Sequence, residues 1–302
     1  MPVLGIRPTV DIVFKLLFGN ADHPGLTVSL LNAILPVVGR PRIRSVQILN
    51  PYTLAEFSRE KEIVVDVRAR DESGRDYQIE MQVESHPDLP RRMLDNWSRL
   101  YRRQIKKGQD YLDHNSLICV WILEEPLPDM PLWLDAADLT RRSDGSIHNA
   151  DFLLIIIQLG RWRALFQSDP ASPAQVLKTH EKGFTLDEKT LAELQGCMYL
   201  LAEGQEFDPK NLPAEADRPW IREAVEVMKA FTKEDAKRDI YDRQIEAQRV
   251  KRAQLRGSRE EGIAIGEAKG LRATARKMKA LGLPLETITA ATGLASEEVA
   301  AL

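Results

Sequence analysis

The sequence predicts an α/β fold, in which a mixed β-sheet is flanked by helices and followed by an all-helical C-terminal extension. Residues 63–70 and 77–84 alternate apolar and polar side chains, as half-buried strands do. Residues 116–123 and 152–159 are dominated by apolar side chains, which favours strands covered on both faces. Beyond Pro170 the apolar residues recur at helical spacing.

Helices are expected around these strands. The first is predicted over residues 10–18, with Thr9 as its cap, and the second over residues 26–35. A strand over residues 43–49 precedes the alternating pair, and a helix over residues 91–107 follows it. With the later apolar strands, this order of elements predicts the α/β core.

The C-terminal half is predicted to be helical throughout. The expected divisions of the chain are a core domain (1–169), a helical region (170–232), a charged helical linker (233–270) and a small module (271–302). The last module has the helix and turn order of a helix-turn-helix. Its final helix carries Glu297 and Glu298 but no arginine, so a helical docking module is favoured over a reader of DNA bases.

The two alternating strands predict a hairpin whose register follows from their pattern. Their apolar faces can share one core only if the connection has an odd number of residues. A loop of Glu72, Ser73 and Gly74 meets this condition, with Gly74 in the left-handed conformation. Counting outward from Ser73 places Asp66 opposite Glu80, with Cβ atoms roughly 5 Å apart.

An acidic pair at this distance has two interpretations. The carboxylates repel each other unless a positive group lies between them, and a hard divalent cation with oxygen ligands fits that need. Alternatively, the polar residues form an ordinary solvated sheet face, with nearby arginines neutralising the acids. The alternating pattern taken alone favours the solvated face.

The order of motifs along the chain favours the cation. Asp66 on an apolar strand, a turn, and then Glu80-Met81-Gln82 on the next strand resemble the PD-(D/E)XK nuclease superfamily. The surrounding sequence more specifically resembles the recombination-promoting nucleases, a transposase family of that superfamily. The other matching segments are Asp11 to Gly19, Leu30 to Ala33, Ile48 to Pro51, Arg92, Trp97, Tyr101 and Lys107 to Tyr111.

The resemblance implies a restriction-endonuclease-like core and a Mg²⁺-dependent DNA endonuclease, in which Mn²⁺ can substitute for Mg²⁺. By this resemblance Asp66 and Glu80 hold the metal, and the Met81 carbonyl is a further ligand. Gln82 stands where the superfamily usually has lysine. A neutral amide can orient a water molecule but supplies no positive charge.

A lysine on the first helix is the main candidate for the missing positive charge. Asp11 and Lys15 are four residues apart on one helix face and can reach the same site. The alternative for this pair is an ordinary ion pair on the helix surface. Lys61, before the Asp66 strand, is a second candidate.

The helix after the hairpin is the expected DNA-binding surface. Basic and polar residues lie largely off its apolar stripe, and those assigned to DNA are Arg92, Arg99, Arg102, Arg103, Gln104 and Lys106. Such a cluster suits phosphate contacts, which give affinity without sequence discrimination. Plain solvation of a charged helix face explains it equally well.

These observations predict a DNA endonuclease of low sequence specificity, which the resemblance associates with recombination or mobile elements. The alternative is a nuclease-fold DNA-binding or regulatory module that no longer cuts, as Gln82 suggests. The C-terminal helices could also form a homodimer.

Bulk composition limits the remaining classes. The net charge of -3 confines any DNA-binding surface to a local patch. Two scattered cysteines and five dispersed histidines offer neither a disulfide framework nor a zinc-type cluster. No apolar run approaches the roughly 20 residues of a spanning helix, so a cytoplasmic protein without a membrane partner is expected.

Overall fold

A computed structural model describes residues 3–51, 66–105, 110–178, 184 and 187–302, with residue 66 described by its backbone alone. Its helices and strands, in chain order, are α1 (Asp11–Phe18), α2 (Pro24–Ile34), β1 (Val46–Ile48), β2 (Asp66–Asp71), β3 (Asp76–Gln82), α3 (Leu89–Arg103), β4 (Leu117–Leu123), β5 (Leu134–Thr140), β6 (Ile147–Gln158), α4 (Leu159–Ser168), α5 (Ser172–Lys178), α6 (Glu188–Glu203), α7 (Pro219–Lys233), α8 (Asp235–Ala280), α9 (Leu285–Thr292) and α10 (Ser296–Ala301).

Within the described residues, six strands form one mixed sheet in the order β1-β2-β3-β4-β6-β5. The central strands β3, β4 and β6 are parallel, whereas β1, β2 and β5 pair antiparallel with their neighbours. Helices cover the sheet, and the chain after it is helical. The predicted α/β fold with a helical extension is therefore confirmed.

Strand β4 lies at the centre of the core and is buried along its whole length. On one face its alternate residues, including Cys119 and Trp121, pack against Leu89, Met93 and Leu100 of α3. Elsewhere on the sheet, α1 packs against β2 and α2 against β1. Because both faces of β4 are covered, its sequence is almost purely apolar, as predicted.

The hairpin between β2 and β3 has the predicted register. Asp66 pairs with Glu80, and Arg70 pairs with Asp76. Gly74 adopts a φ of +85°, in the left-handed region that glycine enters without a steric penalty. The turn closes through a hydrogen bond from the Gly74 N–H to the Asp71 carbonyl at 3.0 Å. The backbone therefore confirms the predicted register and its odd-length connection.

Two details near the sheet differ from the predictions. Val10 occupies the N-cap position of α1 without a side-chain cap, so the prediction that Thr9 caps this helix is wrong. The Thr9 hydroxyl instead donates to Glu124 Oε2 at 3.2 Å. Strand β5 was not predicted; it is an edge strand whose pairing with β6 is irregular between Asp138 and Thr140. Its polar residues give it no clear alternation.

The predicted helical region over residues 170–232 contains α6 and most of α7, but α8 is one helix of 46 residues. Residues 271–280 are the end of α8, so the small module predicted over residues 271–302 does not begin with a helix of its own. Glycines at 257, 262, 266 and 270 lie inside it. A glycine costs a helix only about 1 kcal/mol, and no proline interrupts this stretch.

The chain divides into two compact units, Met1–Asp242 and Arg243–Leu302. The second unit has a small core of its own, in which Ala275 of α8, Ile288 of α9 and Val299 of α10 are buried together. The domain boundaries at residues 169, 232 and 270 remain predictions. Among the described helices, none combines the length and apolar character needed to cross a membrane.

Candidate active site

The candidate site is built on the ends of β2 and β3. Asp66 is the first residue of β2, and the register places its backbone directly opposite that of Glu80, near the end of β3. Along β3, Gln78 and Glu80 lie on one face, and Ile79 and Met81 lie on the other. Met81 can therefore contribute only its main chain to the face that Glu80 occupies.

The polar face of β3 is buried. The exposed fractions are 3% for Asp76, 3% for Gln78 and 7% for Glu80. This face is turned toward the α3 layer, because Cys119 of that layer donates its thiol to Gln78 Oε1 at 3.4 Å. The solvated-face interpretation of the hairpin is therefore wrong for β3. Buried carboxylates need positive or hydrogen-bonding partners, because desolvation of a charge is costly.

Asp76, which lies farther along β3 from the candidate site than Glu80 does, is neutralised by an arginine. Arg70 donates from Nε to Asp76 Oδ1 at 2.5 Å and from Nη2 to Oδ2 at 3.0 Å. The hydrogen bond to Asp76 raises the pKa of Arg70 further above its ordinary value. Two parallel bonds of this kind fix the guanidinium geometry as well as the charge. Arg70 therefore serves the hairpin and is committed to Asp76.

Asp11 and Lys15 form a buried ion pair on α1. Lys15 Nζ lies 3.2 Å from Asp11 Oδ1, and the Lys15 side chain has no exposed surface. The interpretation of this pair as a surface ion pair is therefore wrong. The start of α1 is tied to the end of the sheet, since Thr9 donates to Glu124 and the Glu124 N–H donates to the Gln82 carbonyl at 2.9 Å. Asp11 thus begins its helix near the end of β3.

The anchor between α1 and the sheet was missed by sequence reasoning. Arg7 donates from Nη2 to Glu124 Oε1 at 2.6 Å, beside the bond from Thr9. These residues are more than one hundred positions apart, so no local pattern connects them. The available signal was the acidic Glu124 directly after a buried strand, where a charged residue needs a partner.

The comparison with known families agrees with this architecture. The family model described as PD-(D/E)XK nuclease family transposase matches residues 8–258. The chain belongs to this family. No curated protein and no solved structure matches the chain. The matched range of the PD-(D/E)XK nuclease family contains the whole sheet, the hairpin and α3, so the predicted recognition is confirmed. Membership indicates a nuclease function.

Gln82 is the residue predicted to stand where the PD-(D/E)XK nucleases usually have lysine. Its side chain is half-buried, and its Nε2 donates to the Glu84 carbonyl at 3.0 Å. The hydrogen bond fixes the direction of the amide, with the nitrogen turned along the strand. The amide oxygen is then the part of Gln82 suited to orient a water molecule.

The predicted DNA-binding residues of α3 differ in their surroundings. Four arginines are exposed on its outer side: Arg92, Arg99, Arg102 and Arg103. Gln104 is half-buried, and its amide links Asp76 Oδ2, at 3.4 Å, to the Asn115 N–H, at 2.7 Å. These bonds give Gln104 a structural role, and its contact with DNA remains a prediction. Lys106 and Lys61 lie outside the described residues.

The metal-ligand set of Asp66, Glu80 and the Met81 carbonyl includes a carboxylate that lies outside the described side chains. Among the described side chains, no group of three or more His, Cys, Asp and Glu residues could hold a metal ion. The available donors are oxygens, as Mg²⁺ and Mn²⁺ prefer. Burial, helped by the charge of Glu80, raises the pKa of the Cys119 thiol, so no soft thiolate competes. The donor chemistry therefore fits a hard divalent cation.

Proposed function

We propose that this PD-(D/E)XK nuclease family protein is a divalent-metal-dependent DNA endonuclease of low sequence specificity that acts in recombination or on mobile elements. The observation that carries the proposal is the register that sets Asp66 opposite Glu80 where the polar face of β3 is buried. Buried ionisable groups cluster at functional sites, which supports a role for Glu80 in catalysis.

Each site residue has a chemical task in this proposal. Asp66, Glu80 and the Met81 carbonyl would hold Mg²⁺, for which Mn²⁺ can substitute. The ion supplies charge neutralisation at the phosphate and a more acidic water. Gln82 would orient the attacking water through its amide oxygen. Lys15, paired with Asp11, would place a positive charge at the end of the site, which the neutral Gln82 cannot supply.

The DNA-binding surface in this proposal is the outer side of α3. Arg92, Arg99, Arg102 and Arg103 would contact phosphates, together with Gln104 and Lys106, which follow this helix in the sequence. Phosphate contacts position DNA without reading its bases, which gives low sequence specificity. Cys119 and Cys197 are free thiols, which supports the proposed cytoplasmic, reducing location.

Cleavage of supercoiled plasmid in the presence of Mg²⁺ tests this function. The wild-type protein is expected to nick the plasmid, and Asp66→Ala is expected to lose the activity because half of the carboxylate pair is gone. Asp88→Asn is a matched control, since Asp88 is exposed and its side chain makes no capping bond to α3. Equal nicking by the wild type and Asp66→Ala would defeat the assignment.

A second candidate function is a DNA-binding or regulatory module that does not cut. The fixed amide of Gln82 favours it, because no lysine stands at that position. This function predicts DNA binding without cleavage in any divalent ion. It also predicts that Asp66→Ala leaves DNA affinity unchanged, which a titration without metal measures directly.

We further propose that the C-terminal helices form a homodimer. Helix α8 carries exposed apolar residues, namely Val250, Leu255, Ile263 and Ile265, which a second copy could cover. A chain shortened after Asp242 is expected to sediment as a monomer while the full chain sediments as a dimer. This end point keeps Tyr241, whose hydroxyl accepts a hydrogen bond from the Arg7 N–H at 3.1 Å. An unchanged dimer after shortening rejects the role of these helices.

A further inference from the structure

A ladder of nearly parallel rings runs from the α3 layer to the protein surface. Trp97 and Tyr101 stack with ring centroids 4.7 Å apart and planes within 16°. Tyr101 stacks on His114 at 4.2 Å and 13°. His114 and Tyr111 follow at 6.3 Å and 6°. Tyr111, the outermost ring, is 87% exposed.

The inner rings of the ladder are held in fixed planes by the core. Trp97 Nε1 donates to the Leu117 carbonyl at 3.0 Å, and its ring meets the edge of Phe152. Tyr101 donates its hydroxyl to Asp151 Oδ2 at 2.9 Å. Burial and this acceptor raise the pKa of Tyr101 to about 12, so the phenol stays protonated and keeps the bond. The base of the ladder is therefore rigid.

The outer rings are held by a short 3-10 turn, Tyr111–Asp113. Asp110 accepts the Leu112 N–H, and Asp113 accepts the Asp110 N–H, so a capping box closes the start of the turn. His114 Nδ1 lies 3.1 Å from the Tyr111 carbonyl. The turn presents the Tyr111 ring parallel to the ladder. An exposed ring that is already oriented loses little conformational entropy when another ring stacks on it.

The charge beside the ladder suits a nucleic acid. Arg102 and Arg103 directly follow Tyr101 in the chain and are exposed at the end of α3. Asp110 and Asp113 flank Tyr111, and their carboxylates bind backbone N–H groups of their own turn. Phosphates are therefore expected on the arginine side of the ladder, with a base on the Tyr111 ring. An aromatic platform beside a basic track is how proteins bind single strands without reading sequence.

We propose that Tyr111 stacks a base of single-stranded DNA, with Arg102 and Arg103 holding the adjoining phosphates. The proposal rests on the proposed function for the identity of the ligand as DNA. The Trp97 end of the ladder lies at the start of β3 and β4. The carbonyl of Leu117, the first residue of β4, accepts from Trp97, and Leu117 pairs with Asp76, the first residue of β3. Glu80 lies four residues further along β3, about 13 Å at the usual rise of a strand. An unpaired strand that stacks on Tyr111 and continues past the base of the ladder would approach Glu80, which favours substrates with single-stranded regions.

Fluorescence anisotropy of the full chain tests this site in a chelator, where cleavage cannot occur. The probes are a labelled oligothymidylate of about 10 nucleotides and a duplex of the same length. Tyr111→Ala is expected to weaken single-strand binding by about 5- to 150-fold, the usual effect of losing one stacked base. Its effect on duplex binding is expected to stay within about twofold, since phosphate contacts dominate there.

Two variants serve as matched controls. Tyr111→Phe keeps the ring and is expected to retain single-strand affinity. Leu112→Ala removes a neighbouring apolar side chain that is 91% exposed but has no ring, and is expected to leave the affinity unchanged. A 2-aminopurine base in the oligonucleotide should be quenched on binding to the wild type and not to Tyr111→Ala. A purely structural role of Tyr111 would not produce this quenching.

The arginines are tested through salt dependence. Arg102→Ala is expected to lower the slope of affinity against salt by about one unit, whereas Tyr111→Ala is expected to leave the slope unchanged. Unchanged single-strand affinity of Tyr111→Ala overturns the proposal. Equal losses in Tyr111→Ala and Leu112→Ala, with a change in sedimentation, also overturn it in favour of a protein contact. Because binding is measured without metal, a failure of plasmid cleavage is a separate result.

Discussion

Glu80→Gln is expected to reduce plasmid cleavage by about 100-fold or more. Glutamine keeps the shape of the side chain and removes the charge that the proposed metal site needs, and stabilisation by a bound ion contributes several kcal/mol in such reactions. Glu80 is the acid of the pair whose burial the structure shows, at 7% exposed. Initial rates of nicking, measured over a range of Mg²⁺ and Mn²⁺ concentrations, give the size of the effect.

Thermal unfolding separates loss of metal binding from loss of structure in the same variant. A ligand that binds the folded state raises the melting temperature by mass action. Mn²⁺ is therefore expected to raise the melting temperature of the wild type and of Asp88→Asn, but not that of Glu80→Gln. Wild-type cleavage rates in Glu80→Gln, or an equal Mn²⁺ shift in both proteins, would remove Glu80 from the proposed metal site.

The hairpin register could be predicted from the sequence because two simple constraints act on it. Apolar faces must match across the pair, which fixes the parity of the loop, and Gly74 is the loop residue that enters the left-handed region freely. Both constraints are local. The pairing of Asp66 with Glu80 follows from them without any knowledge of the rest of the chain.

Burial of the polar face could not be predicted from the same pattern. Alternation separates Gln78 and Glu80 from Ile79 and Met81, but it does not reveal what covers each face. Cover comes from the α3 layer, which follows the hairpin in the chain. The complete burial of Lys15 is hidden for the same reason, since a lysine in an apolar helix most often reaches solvent.

The long helix α8 shows a different limit of sequence reasoning. Glycines inside α8 do not end it, because the cost of about 1 kcal/mol for each can be offset by neighbouring helix formers such as alanine, arginine and glutamate. Proline would have ended the helix, and the next one after Pro219 is Pro284. The helix ends at Ala280, where Gly282 adopts a φ of +75°.

Asp71→Ala is expected to destabilise the protein by about 3–5 kcal/mol at neutral pH. Asp71 is buried at the end of β2 and organises the turn. Its Oδ1 accepts from the Ser73 N–H at 2.8 Å, the Ser73 hydroxyl at 2.7 Å and the Arg75 N–H at 2.9 Å. Its Oδ2 accepts from the Tyr77 hydroxyl at 2.9 Å. Alanine at position 71 would leave the buried hydroxyl of Tyr77 without this acceptor.

The pH dependence of this effect has a definite sign. Burial alone would raise the pKa of Asp71, but the hydrogen bonds from Ser73, Arg75 and Tyr77 outweigh it and lower the pKa below its ordinary value. A lowered pKa means that the stabilisation is complete above the unfolded-state pKa of about 3.9 and is lost as the pH falls through the folded-state value. The gap in stability between the wild type and Asp71→Asn is therefore expected to be constant from about pH 5 to 7 and to shrink below about pH 4.

Urea unfolding at neutral and acidic pH measures this effect, and the chain provides a matched control. Asp144 accepts from the N–H and hydroxyl of Ser146 just as Asp71 does from Ser73, but it is exposed. Asp144→Ala is therefore expected to cost about 1 kcal/mol or less, because water replaces the lost acceptor. Adding Tyr77→Phe to Asp71→Ala should recover part of the loss, since the stranded hydroxyl is then absent. Equal costs for Asp71→Ala and Asp144→Ala would show that burial adds nothing to this turn.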